Sequence, residues 1–325
     1  MNPLLPTADN PSPGTIHVDS PPGLTRAHRN LTNRERVRRE IPLISLAFLA
    51  ASASGCGLRT LAVRSTAGLI EAGAPSFHRE ADLDLAREAL PSQLKLLESL
   101  LESDPANPAL LKSLSEGFTA YAFLFVEEER PERARELYRR ALDYSLRLAG
   151  LDPALASLRT MTPDALDAAL SRTTRRSVPG LYWSAYAWSA WANLAKDDPE
   201  ALFGLPKAAR LMKRVLDLDP GFQFGGADLW FGVYYSARPQ IAGGELSKSR
   251  AHFEASLGRS GGDFLLAKTL FAKWYAVAAL DEELFRRLHE EVLAAPPDAL
   301  PQARLANEAA KRQSKKLLEK IHELF

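Results

Sequence analysis

The chain holds a single cysteine, Cys56, among 325 residues, so no disulfide within the chain is available to staple it. It has almost no net charge either. Forty-one Lys and Arg stand against 40 Asp and Glu, interspersed along the length, so no basic field exists to follow a phosphate backbone, and nucleic acid is excluded as a partner. Alternating strand patterns are missing throughout. Spacings that hold a metal are missing too. His289-Glu290-Glu291 lacks the second histidine at i+4 that a zinc helix requires, which leaves no metal site and no cofactor to expect. Long apolar runs are short of membrane length, since Ile41–Ala53 spans about 13 residues where a bilayer crossing takes about 20. What remains is a hydrophobic content of 46% with 25% charged residues, enough for a real core in one large or two ordinary domains.

The position of the lone cysteine is informative. Arg34-Glu35-Arg36-Val37-Arg38-Arg39 precedes the apolar run Ile41–Ala53, which ends in Ala53-Ser54-Gly55-Cys56. A positive segment, a short apolar segment and a small-residue triplet have the layout of a secretory signal. The stretch resembles a bacterial lipoprotein signal, with Ala53 where leucine is commonest. That resemblance implies a diacylglyceryl thioether on Cys56, cleavage before it, and a membrane anchor through the added lipid. Gly57 stands where aspartate would retain such a protein at the inner membrane, which implies the periplasmic face of the outer membrane. The first 33 residues are rich in Pro, Asn, Ser and Thr and read as a disordered preface, with a true start near Val37 as one explanation. The expected organisation is therefore 1–55 as extension plus signal, and 56–325 as the mature domain.

From Gly57 onward apolar residues recur at spacings of three and four, and the breaks fall at Pro and Gly, which predicts helices throughout. The segments are expected at 58–72, 82–103, 108–128, 131–150, 163–173, 179–196, 204–218, 226–237, 246–259, 262–279, 281–294 and 301–324. Asp82, Thr162 and Asp281 are start signals, as are Pro131 and Pro163 at first helical positions. Leucine-rich helices close three times in Asp-Pro, at 104, 152 and 219, spacings far from a constant period of about 34 residues. The expectation is an all-α, degenerate tetratricopeptide-like helix-hairpin solenoid, a fold that offers a concave binding face.

Longer blocks then carry a family resemblance. Leu181-Tyr182-Trp183-Ser184-Ala185-Tyr186-Ala187-Trp188 runs into Trp191-Ala192-Asn193-Leu194-Ala195-Lys196-Asp197-Asp198-Pro199. Asp219-Pro220-Gly221 and Leu229-Trp230-Phe231-Gly232-Val233-Tyr234-Tyr235 follow, then Arg238-Pro239 with Gly243-Gly244, His252-Phe253-Glu254, and Arg304-Leu305-Ala306-Asn307. In this order they resemble the T-component (TatT) family of TRAP transporters over essentially the whole mature chain. The resemblance implies a periplasm-facing, all-α lipoprotein that assembles as a homotrimer with a central pore. It also implies a solute-binding P-component as partner and an organic or hydrophobic ligand. A tetratricopeptide lipoprotein that scaffolds outer-membrane or cell-envelope assembly shares the same fold and anchor, and is the alternative.

Candidate binding residues come from aromatic density. At about 100° per residue, Tyr182, Trp183 and Tyr186 fall on one side of their helix and Trp188 and Trp191 on the other. One side is expected in the core and one in a cleft, with Trp230, Tyr234, Trp274 and Tyr275 as further cleft residues and small residues between them. Core packing explains the same stripes. The pairs Gly243-Gly244 and Gly261-Gly262 read as helix ends, and Gly225-Gly226 before Asp228 as a close backbone approach. Asp197-Asp198 before Pro199 reads as a cap, so the chain is expected to bind and not to catalyse.

Overall fold

A computed structural model describes residues 59–325; the extension, the signal segment and Cys56 lie outside the described residues. Thirteen α-helices and no strand occur among the described residues, so the fold is all-α. They are α1 (59–78), α2 (Leu83–Leu101), α3 (Pro108–Tyr121), α4 (Pro131–Ala149), α5 (Pro163–Ser171), α6 (Val178–Leu194) and α7 (Pro199–Leu218). Then come α8 (Phe222–Ser236), α9 (Leu246–Ser260), α10 (Leu265–Leu270), α11 (Glu282–Ala294), α12 (Arg304–Glu319) and α13 (Ile321–Leu324).

Local chemistry fixes most of the starts. The Asp82 carboxylate accepts from the backbone N–H groups of Asp84 and Leu85, and Thr162 and Asp281 cap α5 and α11 in the same way. Pro131 and Pro163 occupy first-turn positions, where no N–H is needed. Helix α7 begins at Pro199, earlier than the expected residue 204. Asp198 caps it through Glu200 and Ala201, and the helix runs on through Pro206 instead of starting beside it. The segment expected at 301–324 is divided at Lys320 into α12 and α13.

Two helices depart from α geometry at their C-terminal ends. Helix α3 continues as a π turn over Ala122–Val126, and α10 as a π turn over Phe271–Ala276. Nothing in the spacing of apolar residues predicts either. Helix α8 opens with three left-handed residues, Gln223, Phe224 and Gly225, at φ 50°, 57° and 81°. Only the glycine adopts that conformation without cost.

The helices pack chiefly on their neighbours in sequence: α2 on α3, α3 on α4, α4 on α6, α6 on α7 and α8 on α9. Among the packings that skip elements, one returns over most of the chain. Helix α12 returns to α2 and to the end of α3, where Arg312 donates to the Leu124 carbonyl at 3.1 Å and Lys316 pairs with Glu128 at 2.9 Å. The run of hairpins is thereby curled onto itself. Helix α3 together with its π turn, Pro108–Val126, is apolar enough by length and composition to cross a membrane, and it buries Leu110, Leu111, Leu114 and Phe118 inside this curl.

Close packing of α6 explains several small residues. A Cβ on Gly204 of α7 would lie 1.6 Å from the Trp188 indole nitrogen, and one on Gly180 would lie 2.8 Å from the Ala149 backbone. Trp188 and Trp191 are buried on this face of α6.

Candidate functional site

The opposite face of α6 looks into a cavity of about 630 Å³, a volume suited to a small organic molecule. Its walls come from α1, α2, α3, α4, α6, α7, α8, α10 and α12. Tyr182, Trp183, Tyr186, Ser189 and Ala190 form the α6 wall; Phe123 and Leu124 come from the α3 π turn, Trp274 from the α10 π turn, and Leu305 and Ala306 from α12. Helix α8 contributes Phe224, Gly226, Leu229, Trp230 and Tyr234.

The two π turns explain why the cavity has these walls. An extra residue per turn rotates the following side chains relative to the α register, so Phe123 and Leu124 turn inward where a regular helix would continue its packed stripe. The left-handed start of α8 acts similarly. It places Gln223 and Phe224 on the wall and lets Gly226 receive Tyr182, whose hydroxyl would sit 2.5 Å from a Cβ at that position. Farther along α8, the Trp230 indole N–H donates to Ser189 at 3.2 Å and its ring stacks on Tyr234 at 4.7 Å, which fixes α8 to α6.

Beneath α8, Asp228 is 3% exposed and bonded on both oxygens, to His252 Nδ1 at 2.8 Å and Arg259 Nε at 2.7 Å. Burial alone would raise its carboxyl pKa, but the two hydrogen bonds and their positive charge outweigh that and leave it lowered. The residue thus ties the left-handed turn to α9. It does not present a free acid to the cavity.

Six of the aromatic residues singled out above line the cavity: Tyr182, Trp183, Tyr186, Trp230, Tyr234 and Trp274. Tyr275 is not brought to it. It is buried against Phe271 at 5.2 Å, because adjacent residues of a helix diverge by about 100° and Trp274 takes the inward direction. Trp188 and Trp191 lie on the other side, in the core.

Several cavity residues are ionisable. His78, Glu116, Glu127, Lys196 and Arg238 all contribute to the lining. Glu116 lies 3.4 Å from His78 Nε2, and burial raises its pKa against the attraction of His78 and Lys112 and a hydrogen bond with Gln223. Glu127 accepts a hydrogen bond from the fully buried Tyr138 hydroxyl, and burial raises its pKa too, against that bond and Lys273. The phenols of Tyr138, Tyr182 and Tyr186 are held above their ordinary range by burial first and by neighbouring groups second. Lys196 is exposed, and the Arg238 guanidinium lies over the Tyr234 ring at 3.5 Å.

Neither glutamate was singled out from sequence. Glu116 had a legible signal, as the lone acid in the apolar stretch 108–126. Glu127 heads the run Glu127-Glu128-Glu129 and looks like its exposed neighbours.

Among curated proteins the chain resembles an uncharacterized protein of Treponema pallidum (strain Nichols), 31% identical over 202 residues, which are 55% of this chain and 60% of that protein. The chain thus spans about 60% of the length of that relative. A family model described as TRAP transporter T-component matches residues 79–325, from just before α2 to the C-terminus, and takes in nearly every helix that walls the cavity. With three quarters of its length accounted for in this way, the chain belongs to the TRAP transporter T-component family.

Proposed function

We propose that this protein is an envelope-anchored accessory subunit of a TRAP-type transport system, one that binds and does not catalyse. Its cavity holds an apolar organic solute, and the solute-binding P-component docks on the same domain. Family membership supports the transport role. One observation carries the ligand-binding reading: a large apolar cavity ringed by aromatic side chains with hydroxyl and indole groups, between helices that otherwise pack closely. In this reading residues 1–55 are removed, Cys56 carries the lipid, and the domain from 56 to 325 faces the periplasm as a homotrimer. The ring of three is the closed arrangement that yields a central channel.

The test uses the protein purified from membranes and freed of bound lipid. Uptake of the neutral apolar dye N-phenyl-1-naphthylamine is expected, with one site per chain. Ala190→Trp, which fills the cavity from the α6 wall, is expected to abolish uptake while the domain stays folded. Equal uptake by the two proteins would place the dye elsewhere and remove the cavity from the proposal. Recovery of the P-component with the solubilised protein tests the partner, whereas recovery of outer-membrane assembly proteins alone would favour the scaffold alternative.

A further inference from the structure

The charges of the cavity are unevenly placed. The basic side chains on its wall are occupied or outside: Arg238 lies on the Tyr234 ring, His78 lies 3.4 Å from Glu116, and Lys196 is exposed where α6 ends. Deeper in, the fixed groups are carboxyls beside aromatic rings. Glu127 takes the hydroxyl of Tyr138, which is itself fully buried, on Oε2, while Oε1 has no hydrogen bond among the described residues. Tyr186 senses the charge of Glu127 and packs edge-on against Phe123 at 6.3 Å between centroids. An oxygen acceptor with an open valence, half-buried in a cavity whose lining includes the rings of Phe123, Tyr138 and Tyr186, is an environment that recognises an organic cation.

We propose that the cavity selects an apolar organic cation, an alkyl amine or alkyl quaternary ammonium, with its head between Glu127 and the rings of Phe123, Tyr138 and Tyr186. The proposal rests on the ligand-binding reading above and names the class of ligand. Burial keeps the Glu127 carboxyl less acidic than usual despite the attraction of Lys273, and a cation at Oε1 offsets that penalty by adding a counter-charge in direct contact. A carboxylate of the same length would meet Glu116 and Glu127 as like charges. An alcohol of the same length would gain only the burial of its chain.

Three probes of equal chain length decide the matter: decyltrimethylammonium, decanol and decanoate, all below their micelle concentrations and followed by calorimetry. The cation is expected to bind about tenfold or more tighter than decanol, and decanoate weakest. Glu127→Gln should bring the cation down to the level at which that variant binds decanol. Should that variant not fold, Tyr186→Leu is the substitute; it is expected to cost the cation about fivefold relative to decanol. Ala190→Trp should block all three probes, which separates cavity binding from surface adsorption of a cationic amphiphile. If decanol binds as well as the cation, or Glu127→Gln leaves the ranking intact, the cation proposal is overturned while ligand binding by the cavity stands. If none of the three binds, both fall.

Discussion

Asp228→Asn tests how the strained wall of the cavity is held. The substitution keeps the side-chain shape and removes the charge from a carboxylate that is 3% exposed and bonded to His252 and Arg259. Hydrogen bonds to charged groups contribute about 1.5–3 kcal/mol each. Breaking a fully buried pair from one side costs about 3–5 kcal/mol. The partners are not fully buried: the side chains of Arg259 and His252 are 36% and 25% exposed and regain water when released. That discounts the loss to about 3 kcal/mol, or a fall in Tm of about 6–12 °C for a domain of this size. The consequence is local as well as global. Gln223 and Phe224 hold left-handed conformations that cost about 1–3 kcal/mol each, and the Asp228 contacts pin the helix that follows them to α9. Faster proteolysis near Gln223 is therefore expected, together with weaker uptake of the neutral dye. Denaturant unfolding of Asp228→Asn, Arg259→Met and the double variant measures the coupling, expected at about 1.5–3 kcal/mol. Additive single effects, or a Tm lowered by less than about 2 °C, would show that the tie does not hold the turn.

Other perturbations probe separate parts of the chain. His289 is fully buried, bonds Ser314 through Nδ1 at 2.9 Å, and has its pKa lowered by burial to about 4. The unfolded chain then binds the extra proton first, so stability is full above about pH 6.5 and falls as the pH drops toward 4. At about 1.4 kcal/mol per unit, the loss reaches about 3 kcal/mol; His289→Asn should flatten that slope in denaturant midpoints taken from pH 7 to pH 4.5. The Asp228 contribution has its pKa lowered and is lost only below about pH 4, so the two acid phases are separable. Gly204→Ala drives a methyl group into the Trp188 ring and should cost about 3 kcal/mol with the cavity face of α6 untouched; a change within about 0.5 kcal/mol would mean that α7 shifts freely. Cys56→Ser should abolish incorporation of labelled palmitate while the helical domain keeps its circular dichroism, and labelling that persists would place the lipid elsewhere.

Helix positions were readable because caps and prolines act locally. Asp82, Thr162 and Asp281 bond the backbone two or three residues on, so their effect depends on no distant contact. The same locality made the two faces of α6 readable, with Tyr182, Trp183 and Tyr186 apart from Trp188 and Trp191. Signals of other kinds stayed hidden. The segment expected from residue 204 begins five residues earlier, at Pro199, where Asp198 caps it, and Pro206 lies inside the helix. The π turns of α3 and α10 leave no mark on apolar spacing, so Phe123, Leu124 and Glu127 could not be assigned to a wall. Closure by α12 depends on Arg312 meeting Leu124 across 188 residues, a separation at which no pattern in the sequence is informative.

The irregularities share a place. Both π turns, the left-handed start of α8 and the half-buried acids Glu116 and Glu127 border one cavity, while α5 and α11, away from it, are regular helices with side-chain caps. Helices with regular ends and alanine-rich faces, such as α4 against α6, show that this chain can fill its interior where filling is all that is required. Strain and unfilled volume both lower stability, so their concentration at one site, against an otherwise consistent fold, supports the binding role proposed for it. Closure supplies the remaining condition. Without the return of α12 the α2 and α3 walls would form an open groove, whereas Arg312 on Leu124 and Lys316 on Glu128 bring Leu305 and Ala306 over it. In the ligand-binding reading proposed above, Arg312 would bear on ligand exchange without touching the ligand. Its hydrogen bond holds the carbonyl of Leu124, one of the cavity residues set by the α3 π turn, so loosening α12 and loosening that wall are one event.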